Sequence, residues 1–388
     1  MSFLEKLLDG VAVEWKTLGD ISIKISSGGT PNTGILTYYE GNIPWLRTQE
    51  VGSGDIWDTG IKITESGLKN SSAKMIPENC VIVAMYGATV GKIGINKIPL
   101  CTNQACANIQ INNEIANYRY VYHFLLDQYE YIKSLGAGSQ TNINAQIVRK
   151  LQIPIPCPEN PKKSLEIQQK IVAILDSFTE LTAELTAELT GRKQQYNYYR
   201  EQLFSFDDGE VEWKTLGEVI NLQRGRRLVR SQLEETGKYA VYQNAMTPLG
   251  YYHESNATAK TTFVICAGAA GEIGFSDVDF WAADDVTFCI TPDYINNRFV
   301  YYYLQTQQHK ILSQVRRASI PRLSKNVLEK LIIPIPSKEE QNRIVSILDK
   351  FDILTNSISE GLPKEIALRK QQYEYYRDLL LTFKQQNV

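Results

Sequence analysis

Val13-Glu14-Trp15-Lys16-Thr17-Leu18-Gly19 returns, about half the chain later, as Val211-Glu212-Trp213-Lys214-Thr215-Leu216-Gly217. Three more blocks return in the same order. Leu151-Gln152-Ile153-Pro154-Ile155-Pro156 recurs as Leu331-Ile332-Ile333-Pro334-Ile335-Pro336. Ile171-Val172-Ala173-Ile174-Leu175-Asp176 matches Ile344-Val345-Ser346-Ile347-Leu348-Asp349. Arg192-Lys193-Gln194-Gln195-Tyr196 matches Arg369-Lys370-Gln371-Gln372-Tyr373, with Tyr-Tyr-Arg following in both. Between these blocks the halves diverge, apart from a faint echo at Gly91-Lys92-Ile93-Gly94 and Gly271-Glu272-Ile273-Gly274. A duplicated frame around two different inserts is the design of a protein that reads two different things at a fixed separation.

The repeat divides the 388 residues into four blocks. Residues 1–156 hold an N-terminal helix, with leucines 4, 7 and 8, and a first globular unit from residue 13. Residues 157–210 form a helical segment, 211–336 a second globular unit, and 337–388 a second helical segment. Ile171, Ile174, Phe178, Leu181 and Leu185 recur at spacings of three and four, and Ile344, Ile347, Phe351, Leu354 and Ile358 repeat the pattern. So narrow a seam with charges elsewhere predicts a coiled coil rather than a helix lying on its own core. Ser337 and Glu340 predict a capping box, and Gly361-Leu362-Pro363 a break in the second helix. Gly191 lies near the equivalent point of the first. Val81–Met85 and Thr262–Cys266 read as buried strands leading into glycine turns, and Tyr118–Ile132 and Arg298–Leu312 as amphipathic helices. The expected fold is α/β (α+β): two globular units separated by two long helices in an antiparallel coiled coil, with pseudo-two-fold symmetry.

A hydrophobic content of 43% is enough for real cores, and a formal charge of −2 removes any whole-protein attraction to nucleic acid. A basic binding surface must therefore be local. Six cysteines without a Cys-x-x-Cys pair and three scattered histidines argue against zinc. With neither a leader nor a transmembrane run in the sequence, a cytoplasmic protein with reduced thiols and no membrane contact is expected.

The motifs for chemistry are missing. Gly87-Ala88-Thr89-Val90-Gly91-Lys92 is one residue short between its glycines for a phosphate loop, and Ile93 stands where a hydroxyl would hold magnesium. A tight turn explains it better, as it does Gly268–Gly274. No Asn-Pro-Pro-Tyr or Asp-Pro-Pro-Tyr, paired carboxylates or serine–histidine set presents itself.

What the divergent inserts do carry is side chains suited to DNA. Amides pair bidentately with adenine, and arginine with guanine or phosphate. On that chemistry the candidates are Arg47, Gln49, Lys92, Gln140, Asn142 and Asn144 in the first insert. In the second they are Arg224, Arg226, Arg227, Gln243, Asn244, Arg316, Arg317 and Arg322. Any single charge run is more often plain solvated surface; their place in the inserts is what raises them. Thr182-Ala183-Glu184-Leu185-Thr186-Ala187-Glu188-Leu189 is a tandem four-residue repeat inside the first helix. It is either helical filler or an adjustable spacer, each unit adding roughly 6 Å.

The two Trp-Lys-x-Leu-Gly starts, the paired Ile-Pro-Ile-Pro exits and the Arg-Lys-Gln-Gln-Tyr-x-Tyr-Tyr-Arg blocks resemble the specificity subunits of type I restriction–modification systems, over essentially the whole chain. Gly28-Gly29-Thr30-Pro31 followed by Asn42-Ile43-Pro44-Trp45 matches too, and the Thr-Ala-Glu-Leu tandem looks like one branch of that family. The resemblance implies two target-recognition domains, each contacting half of a bipartite site on double-stranded DNA. It implies helices that dock two modification subunits, with Thr182, Leu185, Thr186, Leu189, Tyr196, Tyr199, Tyr373 and Tyr376 as candidate spacer and docking residues. Restriction subunits, ATP-driven motors with a nuclease, join afterwards. The chain itself would be non-catalytic and bind no cofactor; S-adenosylmethionine, ATP and magnesium would sit on the partners. Gln223-Arg224-Gly225-Arg226-Arg227 replaces Gly-Gly-Thr-Pro in the second half, so the two half-sites should differ. The rival reading is a coiled-coil scaffolding adaptor without DNA specificity, and salt-sensitive, sequence-specific DNA binding discriminates the two.

Overall fold

The structure, a computed structural model, describes residues 10–52, 54–136, 142–207, 209–357 and 359–383. The N-terminal leucine cluster and Gln140 lie outside the described residues. The chain divides into two compact units, Met1–Glu184 with Ala367–Val388, and Leu185–Ile366.

The first unit carries β1 (Val13–Thr17), β2 (Ser22–Ser27), β3 (Tyr39–Leu46), β4 (Gly54–Ile56), β5 (Lys62–Ile63) and β6 (Met75–Ile76). It continues with β7 (Val81–Ala84), β8 (Ile93–Asn96), β9 (Leu100–Thr102), β10 (Cys106–Ile111) and β11 (Gln152–Pro156). The two repeated frame motifs pair with each other: β1 runs antiparallel to β11, with Trp15 opposite Pro154. Proline lacks an N–H, and a two-stranded ribbon leaves it an edge where none is needed. Between them lie two sheets, ordered β2-β10-β7-β8-β4 and β5-β3-β9-β6. Strand β7 is buried on both faces, as its apolar run predicts. Val81 and Val83 join Tyr120, Ile171 and Leu175, while Ile82 and Ala84 face Leu46, Ile56 and Leu100.

The second unit repeats the plan with β12 (Glu212–Thr215), β13 (Asn221–Arg224), β14 (Tyr239–Tyr242), β15 (Gly250–Tyr252) and β16 (Thr261–Ile265). Then come β17 (Ile273–Ser276), β18 (Phe280–Ala282), β19 (Val286–Ile290) and β20 (Ile332–Ile335). Trp213 on β12 stands opposite Pro334 on β20. The sheets are β13-β19-β16-β17 and β15-β14-β18. Each predicted amphipathic helix is split: Tyr118–Asp127 and Tyr129–Ser134 in one unit, Asn297–Thr306 and Gln308–Ser313 in the other. The apolar spacing runs on across both breaks, to buried Ile132 and Ile311, so the sequence reads as one helix.

The long helix Pro161–Leu203 passes unbroken through Gly191, where nothing lies within 4 Å of an added Cβ. Its counterpart is interrupted, as Lys338–Asn356 and Gly361–Leu381. Gly361 has φ +72°, and a Cβ there would collide with the carbonyl of Ile353, so the break needs glycine. Pro363 then falls in the first turn of the new helix, where its missing N–H costs nothing. Ser337 caps Lys338–Asn356, accepting from the Glu340 N–H at 3.2 Å. Within the first unit Phe178 stacks on Tyr376, with centroids 5.2 Å apart. Within the second, Tyr196 and Tyr199 lie against Phe351 at 6.1 and 5.8 Å.

One polar arrangement occurs in both units. Arg119 donates to both oxygens of Asp176, at 2.6 and 2.7 Å, and its remaining nitrogen reaches Asp55 at 3.0 Å. Arg298 likewise bridges Asp349 and Asp277. Two residues earlier, the backbone N–H of Asn117 donates to Gln168 and that of Asn296 to Gln341, both at 2.8 Å. The fully buried His123 places Nε2 2.7 Å from Asp176, and Tyr302 puts its hydroxyl 2.6 Å from Asp349. Each set ties the helix that follows the globular fold to the helix inside it.

Burial alone would raise the Asp176 carboxyl, but hydrogen bonds from His123 and Arg119 outweigh it and hold the group below its ordinary value. Its contribution is therefore complete above 3.8 and is lost as pH falls through the lower folded-state value. Asp176→Ala should destabilise the first unit by about 2–3 kcal/mol near neutral pH, between the exposed and buried limits for an ion pair. Denaturant unfolding checks this: the gap between wild type and variant should hold steady down to about pH 4 and shrink below it. A gap that widens on acidification contradicts the assignment.

Candidate nucleic-acid interface

In the second unit β13, β14, β16 and β18 end, and β19 begins, along one edge. Arg224 pairs with Thr287, Ile265 with Val286, and Tyr242 with Ala282. The loops leaving these ends are stitched together. The Arg226 N–H donates to the Ala282 carbonyl and the Ala283 N–H to that of Tyr242, both at 2.9 Å. The Cys266 N–H donates to Asp285 at 2.6 Å, and the Leu323 N–H to Cys266 at 2.8 Å. The first unit has the same four bonds, from Gly29 to Thr102, Asn103 to Leu46, Met85 to Ala105 and Ile143 to Met85, all between 2.8 and 3.0 Å.

A stretch that differs in sequence between the units is held alike in both. A Cβ on Gly28 would collide with the Thr102 carbonyl oxygen, and one on Gly225 with that of Ala283. Glycine is required at both for close approach to a neighbouring strand. The following carbonyl is then held by an indole: Trp45 Nε1 donates to Gly29 at 2.9 Å, and Trp281 Nε1 to Arg226 at 3.0 Å. Gly28-Gly29-Thr30-Pro31 and Gly225-Arg226-Arg227-Leu228 are thus two fillings of one clamp.

The edge gathers many of the residues chosen on side-chain chemistry. Arg224 donates through Nε to the Asp284 carbonyl at 2.7 Å, which leaves its terminal nitrogens free to donate elsewhere. Arg226, Arg227, Arg316, Arg317 and Arg322 are exposed, with no carboxylate partner among the described residues. Gln243 and Asn244 leave the end of β14, and the Asn244 carbonyl accepts from Ala269 at 2.9 Å. In the first unit Arg47 is paired with Glu50 at 2.8 Å, and Gln49 is exposed beside it. Asn142 accepts from the Gly87 N–H at 3.3 Å, and Asn144 caps Ala145–Lys150 by accepting from Gln146 and Ile147. Their amide oxygens are engaged, and only the NH2 groups remain to donate. Lys92 lines a pocket with Leu126, Tyr129, Tyr373 and Arg377.

The helical candidates divide in the same way. Tyr196 is buried in its unit's core, and Tyr373 faces His123, its phenol pushed up to about 12 by burial. Tyr376 packs on Phe178 and Tyr199 is half-exposed. Leu185 and Leu189 are half-buried, Thr186 is exposed, and Thr182 bonds back to the Phe178 carbonyl at 2.7 Å. Sequence reasoning missed the Trp45 and Trp281 clamps and the Arg119 and Arg298 locks. The signal for the locks was present in the Asn-x-Arg shared by Asn117–Arg119 and Asn296–Arg298.

Residues 11–191 and 209–368 match the family described as type I restriction modification DNA specificity domain. The chain belongs to that family. It is 34% identical to the specificity subunit of the Escherichia coli type I restriction enzymes EcoR124I and EcoR124II, over 99% of this chain and 97% of that one. It is 33% identical to the EcoprrI specificity subunit of the same organism, over 93% and 92%. The solved specificity subunit of M. genitalium shares the fold, with a TM-score of 0.68 at 19% identity, covering 99% of this chain and 100% of that one. A second structure, from work on assembly and conformational transition of the type I system, gives 0.60 at 18%, covering 95% and 97%. The chain is thus a DNA sequence-recognition subunit and not a catalytic one. No helix among the described residues is long and apolar enough to cross a membrane.

Replacing Arg224, Arg226 and Arg227 together by alanine should weaken DNA binding, by about 1–3 kcal/mol for each arginine that grips a base bidentately. It should also flatten the salt dependence by about one unit of slope for each arginine that meets a phosphate. Titrations of the assembled complex at several salt concentrations check this. Unchanged affinity and slope would return the run to solvated surface.

Proposed function

We propose that each unit reads one half of a bipartite, asymmetric site on double-stranded DNA through the strand-end edge described above. The carrying observation is that four matched backbone bonds and an indole clamp present different side chains in the two units. One frame with two fillings suits two different half-sites. In this reading the helices dock two modification subunits, which methylate adenine with S-adenosylmethionine, and restriction subunits using ATP and magnesium join that complex in the cytoplasm. Tyr198 and Tyr375, equivalent in the repeat, are 60% and 64% exposed on those helices, and exposed aromatics of this kind support a docking role. Replacing residues from about 15 to 150 by the corresponding domain of a relative should change one half-site and leave the other intact. Methylation mapping reads the outcome. A swap that alters both halves in an assembled complex contradicts the proposal.

The Thr-Ala-Glu-Leu tandem is the proposed ruler. The boundary between the compact units falls inside it, after Glu184, within the unbroken helix Pro161–Leu203. Four residues lengthen a helix by roughly 6 Å and turn it by about 400°, so the leucine seam nearly re-registers. Base pairs are about 3.4 Å apart, and an inclined helix transmits only part of its length. Inserting one more unit after Leu189 should keep both half-sites and lengthen the spacer by about one to two base pairs. An unchanged spacer at full activity would make the tandem mere filler.

A further inference from the structure

Residues 316–322 of the second unit form a small hairpin closed by a bridge between Arg316 and Arg322. The Arg316 N–H donates to the Arg322 carbonyl at 2.9 Å, and the Arg322 N–H to that of Arg316 at 3.1 Å. Two more bonds fasten it to the strand-end edge, from Gly268 to the Pro321 carbonyl at 3.1 Å and from Leu323 to that of Cys266 at 2.8 Å. Leu323 is buried, and Pro321 fixes its own φ. The loop is therefore pre-shaped before any partner arrives.

Its side chains are arranged against its own stability. An antiparallel pair exchanging both backbone bonds brings its Cα atoms to about 5.5 Å and sends both side chains to one face. Here both are arginines, and like charges set directly opposite repel. No carboxylate among the described residues offsets them. Between the two strands Ile320 is 52% exposed, in a loop otherwise basic or small. An anion between the arginines relieves the repulsion, and an apolar surface beyond it covers the isoleucine. Duplex DNA offers both, as a backbone phosphate and the 5-methyl group of thymine in the major groove.

Resting on the reading of this edge as a DNA interface, we propose that Arg316 and Arg322 clasp one backbone phosphate and that Ile320 reads a thymine methyl in the half-site of the second unit. Arg316 and Arg322 supply affinity without sequence preference; Ile320 supplies discrimination.

The test uses the assembled complex with its modification subunits and duplexes carrying its mapped target. Each thymine of the site is replaced in turn by deoxyuridine, which removes only the methyl group. One such replacement, in the half-site of the second unit, should weaken wild-type binding about fourfold, the worth of one buried methyl group. Ile320→Ala should weaken binding to the unmodified duplex by a similar factor and ignore that replacement. Arg316→Gln with Arg322→Gln should lower the salt slope by about one and leave the methylated sequence unchanged. Sequence-specific binding with no thymine felt by wild type and ignored by Ile320→Ala overturns the isoleucine role alone, and an unchanged salt slope overturns the clasp. Failure of the Ile320→Ala chain to assemble with modification subunits makes the hairpin a protein dock and overturns both. A wild-type complex that binds all sequences equally overturns the reading of the interface itself.

Discussion

A carboxylate on a long helix, held by an arginine of the recognition fold, is the contact on which each unit depends. Asp176 and Asp349 hold corresponding positions, and Arg119 and Arg298 answer them. In the first unit Arg119 grips both oxygens of Asp176, and because the planar fork of arginine fits a carboxylate in one orientation, that pair fixes an angle as well as a distance. In the second, Arg298 and Tyr302 meet on one oxygen of Asp349. The same guanidinium reaches on to Asp55 or Asp277, joining the helix to the edge of the sheet. One cation faces two anions, and a further donor at the helix carboxylate, His123 or Tyr302, completes the set. The chemistry of that donor differs between the units while its target stays the same.

A recognition fold held in this way can vary without collapsing. The loops at the strand ends are fastened by backbone groups, which are blind to the side chains they carry. Only positions with no room are constrained. Gly28 and Gly225 must pass close to a neighbouring carbonyl, and the carbonyls after them must accept an indole N–H. Everything projecting outward from this clamp is free to change, and Thr30-Pro31 in one unit becomes Arg227-Leu228 in the other. Specificity and stability are separated on the same few residues.

The parts legible in the sequence are those written in periodicity and repetition. Trp15 with Pro154, and Trp213 with Pro334, were visible as repeated motifs, and structure adds that each pair is one ribbon. Gly361 marked the helix break because its neighbours in sequence supply the reason. Gln128 gave no such warning, since the apolar spacing carries on to Ile132. The locks were hidden because Arg119 and Asp176 are 57 residues apart, and a charge in an amphipathic helix ordinarily reads as solvated surface. The equivalence of Gly28 and Gly225 was hidden for a similar reason, as the carbonyl that demands glycine belongs to another strand. At the interface, residue type selected Asn142 and Asn144 but could not foresee that their oxygens serve a turn and a helix cap.

The central claim is that two differently furnished copies of one fold divide a DNA site between them. Mapping methylated adenines across the genome of a host that carries this chain with its modification subunits tests it most directly. The account predicts one motif of two unlike, specified halves separated by a gap of fixed length and free sequence, absent when the chain is deleted. A continuous motif, a palindrome of identical halves, or methylation that persists without the chain would contradict it.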